Sequence, residues 1–187
     1  MPQMHRRADQ QVVMSLKVVV TGAFNAGKST FIRTISTVPP VLTEELTFGG
    51  ESAVKRSTTV ALDYGRAVTE GGLLLHLFGT PGQARFSFMR EVLAQGMDAF
   101  VMVVDSTDSG ALYETQALLD AFARLPNAPY VIAATKGDLP GALRADELRR
   151  YLHVEAPIMA CDARSRASVQ AVLEALLTLP SVAAAGA

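Results

Sequence analysis

Runs of consecutive apolar residues alternate along this chain with stretches in which apolar residues recur every three or four positions. That alternation predicts a parallel α/β sheet. Leu16 to Thr21 (LKVVVT) is rich in β-branched residues and stops at Gly22, so it reads as a central strand buried on both faces. Ser29 to Ser36 follows as a helix, ended by Pro39-Pro40. Val60 to Val68 and Leu73 to Phe78 read as two strands joined by Glu70-Gly71-Gly72, a hairpin signal. Ala99 to Asp105 (AFVMVVD) and Tyr130 to Thr135 (YVIAAT) read as further buried strands. Between them, Ala111 to Leu125 carries Leu112, Leu118, Leu119 and Phe122 at helical spacing. A short strand near Pro157 to Cys161 precedes an amphipathic helix running from about Ser168 to Leu179. Residues 37 to 58 follow neither pattern, and a connection that long in a compact domain usually carries function.

These elements make one domain over 15–180, with a flexible segment expected over 1–14 and a disordered tail over 181–187. Composition agrees: 187 residues with 49% hydrophobic and 19% charged side chains suit a single soluble globular unit. The formal net charge of -1 offers no general attraction to nucleic acid or to an anionic membrane, so any bound anion needs a local site. One cysteine, Cys161, excludes an internal disulfide and a multi-cysteine zinc site, which suits a reducing cytoplasm. No stretch approaches the roughly 20 apolar residues of a membrane span. Pro2 does not suit N-myristoylation and the Ala-rich end carries no prenylation cysteine, so no direct membrane anchor is expected.

The chemistry enters with Gly22-Ala23-Phe24-Asn25-Ala26-Gly27-Lys28-Ser29, which fits G-x-x-x-x-G-K-[ST] between a buried strand and a helix. Glycines let successive backbone N–H groups turn inward around a phosphate, and the helix N-terminus adds the positive end of its dipole. The phosphate-binding set is therefore Phe24, Asn25, Ala26, Gly27, Lys28, Ser29 and Thr30. Lys28 can reach the β- and γ-phosphates, and the Ser29 hydroxyl is placed to ligate Mg²⁺. This loop alone does not separate a GTPase from an ATPase or a small-molecule kinase.

Further segments narrow the choice. Gly79-Thr80-Pro81-Gly82-Gln83-Ala84-Arg85-Phe86, Thr58-Thr59-Val60-Ala61-Leu62-Asp63, Thr135-Lys136-Gly137-Asp138 and Cys161-Asp162-Ala163 come in order, each beside a predicted strand. With them the chain resembles the Ras-like small GTPases from Leu16 to Leu179. Within that group, N-A-G-K-S, T-T-V-A and G-T-P-G-Q look most like bacterial Mgl-type proteins, whose partners include roadblock-type regulators. The resemblance implies a P-loop fold: a doubly wound, mostly parallel six-stranded sheet with one antiparallel edge strand and helices on both faces. It also implies a GTP/GDP switch that uses Mg²⁺ and signals to a regulatory or effector protein through loops 37–58 and 79–90.

The resemblance implies roles for single residues. Asp138 would accept the N1–H and 2-amino hydrogens of guanine, donors that adenine lacks. Lys136 would lay its stem on the base, Thr135 stands where the family has asparagine, and Cys161, Asp162 and Ala163 would border the guanine carbonyl. Thr59 matches the switch threonine better than its neighbour Thr58, and would join Ser29 on the metal. Gln83 would orient the attacking water, with Gly82 beside the γ-phosphate and Lys28 and Thr59 completing the catalytic set. Arg85 is expected to pair locally, and Arg56 to be a solvated loop charge rather than a catalytic finger.

Three positions depart from the family pattern. Gly79 occupies the place of a metal-site aspartate, Thr135 is shorter than asparagine, and Phe24 is bulky where several relatives have glycine. Slow hydrolysis follows as an expectation. A nucleotide-dependent interaction module without hydrolysis stays open as the alternative, and behind it a P-loop small-molecule kinase. His5, His76 and His153 are too scattered to form a ligand set, and Arg149-Arg150 reads as the solvated face of a short helix.

Overall fold

A computed structural model describes residues 14–39, 63–81, 87–124 and 129–185. The strands are β1 Ser15–Thr21, β2 Asp63–Val68, β3 Leu74–Gly79, β4 Ala99–Asp105, β5 Tyr130–Thr135 and β6 Ile158–Cys161. The helices are α1 Lys28–Ile35, α2 Ser87–Ala94, α3 Ala111–Ala123, α4 Ala145–Leu152, α5 Arg166–Leu177 and α6 Pro180–Ala185. The six strands form one sheet in the order β2-β3-β1-β4-β5-β6. Only β2 and β3 pair antiparallel, while β1 runs parallel to β3 and β4, and the outer strands continue in parallel.

Every residue of β4 is buried, because helices cover the sheet on both faces and alternate side chains enter different cores. Ala99, Val101 and Val103 join the core formed with α1 and α5, through Phe31, Ile32, Val169, Val172 and Leu176. Phe100, Met102 and Val104 join the opposite core, with Leu118, Leu119 and Phe122 of α3 and Leu148 and Leu152 of α4. Phe100 packs between Phe122 and Tyr130, ring centroids 4.9 and 4.7 Å away. Burying a side chain of this size contributes about 1.5–3 kcal/mol. These two layers hold the strand ends at fixed relative positions, and the site depends on that.

Two elements lie outside the expectations from hydrophobic pattern. Helix α2 is short, with Val92 exposed and Leu93 buried. Helix α6 replaces the disordered tail expected from 181, at least through Ala185. Pro180 suits the first helical position and the alanines favour the helix, while Val182 is 1% exposed and anchors the turn in the core. The hairpin forms as expected, with the Gly72 N–H donating to the Thr69 carbonyl and Gly72 at φ +79°. Arg149 and Arg150 lie exposed on α4, where Arg150 reaches Asp146 at 3.5 Å.

Candidate functional site

The parallel strands end on one edge of the sheet, where β1, β3, β4, β5 and β6 close with Thr21, Gly79, Asp105, Thr135 and Cys161. Their register is direct: Val20 lies beside Gly79, Asp105 beside Thr135, and Thr135 beside Cys161. Each candidate motif therefore emerges on the same side of the molecule, although more than a hundred residues separate the first from the last. Pleated strands of similar length, held between two packed helical layers, make that coincidence unavoidable.

The phosphate loop turns directly from β1 into α1. Gly22 packs so close to β4 that a Cβ on it would lie 2.1 Å from the Val103 carbonyl oxygen, so only glycine fits. Gly27 has φ +105° and Asn25 φ +59°, left-handed conformations that turn the loop back on itself. Gly27 is also the N-cap of α1, with no capping side chain and no acidic residue in the first turn. The positive end of α1 thus faces the loop with backbone donors that suit an anion. Lys28 is buried, and its Nζ donates to the carbonyls of Gly22 at 3.0 Å and Ala23 at 2.6 Å. Its charge is held on the inner side of the loop, whereas Phe24 is 67% exposed on the outer side.

The base side is a network of side chains. A cavity of about 240 Å³ is bordered by Gly27 and Thr30 on one wall, Thr135, Lys136 and Asp138 on another, and Asp162, Ala163 and Arg164 on a third. Thr135 is 2% exposed, and its hydroxyl lies 2.8 Å from the Ala26 carbonyl and 3.0 Å from the Val104 carbonyl. A threonine therefore ties the base loop to the phosphate loop, although it is shorter than the family's asparagine. Lys136 stands in a left-handed conformation, φ +58°, and its Nζ donates to Asp105 at 2.5 Å. Burial alone would raise the Asp105 carboxyl, but hydrogen bonds from Lys136 and Thr107 outweigh it and hold the group below its ordinary value.

Arg164 joins the remaining carboxylates. Its guanidinium donates to Asp162 at 2.8 Å and to Asp138 at 3.1 Å. Those hydrogen bonds keep Asp162 below the usual carboxylate range and Arg164 charged. The Asp162 N–H is given to the Ser168 hydroxyl at 3.0 Å, while Thr34 donates to the Ala163 carbonyl at 2.7 Å. Cys161 is buried beside them, and burial is the main reason its thiol is pushed up to about 11. It packs as an uncharged group. The sequence assigned no role to Asp105 or Arg164, because Lys136 lies 31 positions from Asp105 and Asp138 lies 26 from Arg164.

Ser29, at the start of α1, donates to Asp63 of β2 at 2.5 Å. Thr58, Thr59, Gly82, Gln83, Arg56 and Arg85 lie outside the described residues. The two described histidines stay apart, with the Tyr64 hydroxyl and His76 Nδ1 2.8 Å from each other on β2 and β3 and His153 capping α4, while His5 lies outside the described residues. Among the described residues no three His, Cys, Asp or Glu side chains cluster as a metal site, and no helix is long and apolar enough to cross a membrane. A second cavity, of about 200 Å³, lies by the β2–β3 turn and α5 and contains none of the motif residues.

A glycine-rich loop between β1 and an uncapped helix, facing a lysine, a threonine and an aspartate from β5 across one sheet edge, defines a P-loop nucleotide-binding protein. The sequence matches the model of the ADP-ribosylation factor family over residues 4–178, and the chain belongs to that family. It is thereby a small GTP-binding protein of the Ras superfamily, among GTPases. The chain is 30% identical to an uncharacterised protein of Methanocaldococcus jannaschii, over 78% of its own length and 85% of that protein's. It is 28% identical to ADP-ribosylation factor-like protein 2 of Drosophila melanogaster, over 78% of its length and 73% of the relative's. Against ADP-ribosylation factor-like protein 10 of Mus musculus the identity is 33% over 73% of the chain, which spans about half (51%) of that relative.

Proposed function

We propose that this protein is a GTP/GDP switch that uses Mg²⁺ and hydrolyses GTP slowly to GDP and phosphate. The observation that carries the reading is Thr135, which joins the uncapped phosphate loop to the Asp138 cavity through the Ala26 carbonyl. Guanine would exchange the Arg164 contact for its own two donors at Asp138, and adenine would leave that carboxylate without them.

The residues divide the work of hydrolysis. Backbone N–H groups from Phe24 to Thr30 hold the β- and γ-phosphates, and Lys28 Nζ turns from its carbonyl partners to the phosphate oxygens. Gln83 orients a water whose oxygen bonds to the γ-phosphorus as the bond to the β–γ bridging oxygen breaks. GDP keeps that electron pair, and the attacking water's proton leaves with phosphate. Ser29 and Thr59 are the hydroxyls for Mg²⁺, and the hard oxygen pair of Ser29 and Asp63 suits that ion. When bound, Mg²⁺ neutralises charge on the β- and γ-phosphate oxygens. Slowness rests on Phe24, a bulky side chain exposed on the phosphate loop, which would crowd Gln83 or an arginine supplied by a partner.

The partner is read as a regulatory or effector protein that senses loops 37–58 and 79–90. The wording N-A-G-K-S, T-T-V-A and G-T-P-G-Q favours a roadblock-type regulator, tested by whether a roadblock protein co-purifies with the GTP-loaded chain and not with the GDP-loaded one. A cytoplasmic location, with any membrane attachment borrowed from that partner, completes the reading.

The deciding experiment is single-turnover phosphate release from GTP and from ATP, with and without Mg²⁺, beside binding of fluorescent GDP. Mg²⁺-dependent release from GTP alone is expected, faster in Phe24→Gly. The exposed Phe24 also favours a second reading, an interaction module without turnover, which tight guanine binding with no release would establish. Transfer of phosphate to a metabolite would establish a kinase instead.

A further inference from the structure

We infer that Asp63 supplies the carboxylate of the magnesium site, from β2 rather than from the end of β3. This rests on the GTP-binding reading above. Three observations carry it. Ser29, the hydroxyl that the G-K-S sequence assigns to the metal, lies 2.5 Å from Asp63 Oδ2. Oxygens on neighbouring corners of a Mg²⁺ octahedron stand about 2.9 Å apart, so small adjustments would let both serve one ion, directly or through a water. Antiparallel pairing sets Asp63 directly opposite Gly79, so its side chain rises at the sheet edge where β3 itself offers no carboxylate. Finally, a Cβ on Gly79 would lie 2.9 Å from Asp63 Cβ and 2.9 Å from Ile32 Cδ1. Asp63 and a side chain at 79 compete for one space, and the chain has filled it from β2.

Charge gives this placement a signature. Without a cation, the Asp63 carboxylate beside Ser29 repels the phosphates of a nucleotide; with Mg²⁺ between them, the same carboxylate attracts. A residue that merely holds Ser29 in place would instead help binding equally with or without metal. Asp63→Asn keeps the shape and removes the charge, so the two roles separate.

The test follows fluorescent GDP binding and release across a Mg²⁺ titration and in EDTA, with thermal melting to confirm folding. In Asp63→Asn the Mg²⁺ concentration that half-maximally slows release should rise about 10–100-fold, while affinity in EDTA stays equal to wild type or improves. Asp63→Glu keeps the charge but displaces it by one methylene, and should also raise the Mg²⁺ midpoint. The pair Asp63→Gly with Gly79→Asp frees the space and should recover much of the lost Mg²⁺ dependence. Mn²⁺ in place of Mg²⁺ gives a second readout, since its electron paramagnetic resonance signal should report weaker retention in Asp63→Asn. An unchanged Mg²⁺ midpoint, or equal weakening with and without metal, overturns the inference alone. Failure of the wild-type chain to bind guanine nucleotide overturns both the inference and the reading beneath it.

Discussion

The two halves of the site are built differently. The phosphate half is one contiguous loop whose capacity lies in its backbone: Gly22 against Val103, Gly27 left-handed, and α1 left without a side-chain cap. The base half draws side chains from three loops: Thr135 reaches a carbonyl 109 positions earlier, Lys136 an aspartate 31 earlier, and Arg164 an aspartate 26 earlier. A backbone site fails when one conformation is forbidden. A side-chain network loses its contacts singly, and what each is worth depends on its burial.

That contrast sets the order of expected effects. Gly22→Ala should be the most damaging, because its new methyl meets a backbone carbonyl at 2.1 Å and neither strand can move without the sheet. A loss of about 3 kcal/mol is expected, read as a fall in Tm of about 6–12 °C. Near-wild-type melting with phosphate binding intact would break the comparison. Asp138→Ala should leave stability almost unchanged but lower the preference for GDP over ADP about 100-fold or more, measured by competition against fluorescent GDP.

Thr135→Val keeps the volume but removes the hydroxyl that joins both halves at the Ala26 and Val104 carbonyls. We expect a loss of about 1–2 kcal/mol in denaturant unfolding, with GDP affinity falling as well. An affinity unchanged despite that loss would show that the two halves bind independently. Asp105→Asn should cost about 1 kcal/mol at neutral pH. Since the folded Asp105 carboxyl is held below its ordinary value, its contribution is present above the unfolded value of about 3.9 and lost as pH falls through the lower folded one. The stability gap between wild type and Asp105→Asn should therefore close below about pH 4. Smallest is Arg164→Ala: its pairs with Asp138 and Asp162 are solvent-exposed, so no measurable change in Tm is expected. A modest rise in GDP affinity, as Asp138 loses a competing donor, is the outcome that would sharpen the picture.

Much of this architecture is legible along the chain. Apolar runs such as LKVVVT and AFVMVVD announce strands buried on both faces, and Glu70-Gly71-Gly72 announces the turn of β2 and β3. Helices α2 and α6 were less so. The first is only eight residues long and sets an exposed Val92 beside a buried Leu93, and the second draws its order from Val182 meeting the core, which no local pattern displays. The phosphate loop could be named from eight successive residues because its function needs only local backbone conformation and a strand before a helix.

The six strands, the helices other than α2 and α6, the phosphate loop and the residue types at the strand ends can thus be read along the chain. Both the glycine requirement at Gly27 and the strand character of β4 arise from local sterics and hydrophobic period, which travel with the chain. Tertiary structure alone decided that Thr135 reaches Ala26, that Lys136 answers Asp105, and that Asp63 stands across from Gly79 beside Ser29. Those contacts depend on strand order and register, set by how two helical layers pack onto one twisted sheet, and distance along the chain carries no record of them.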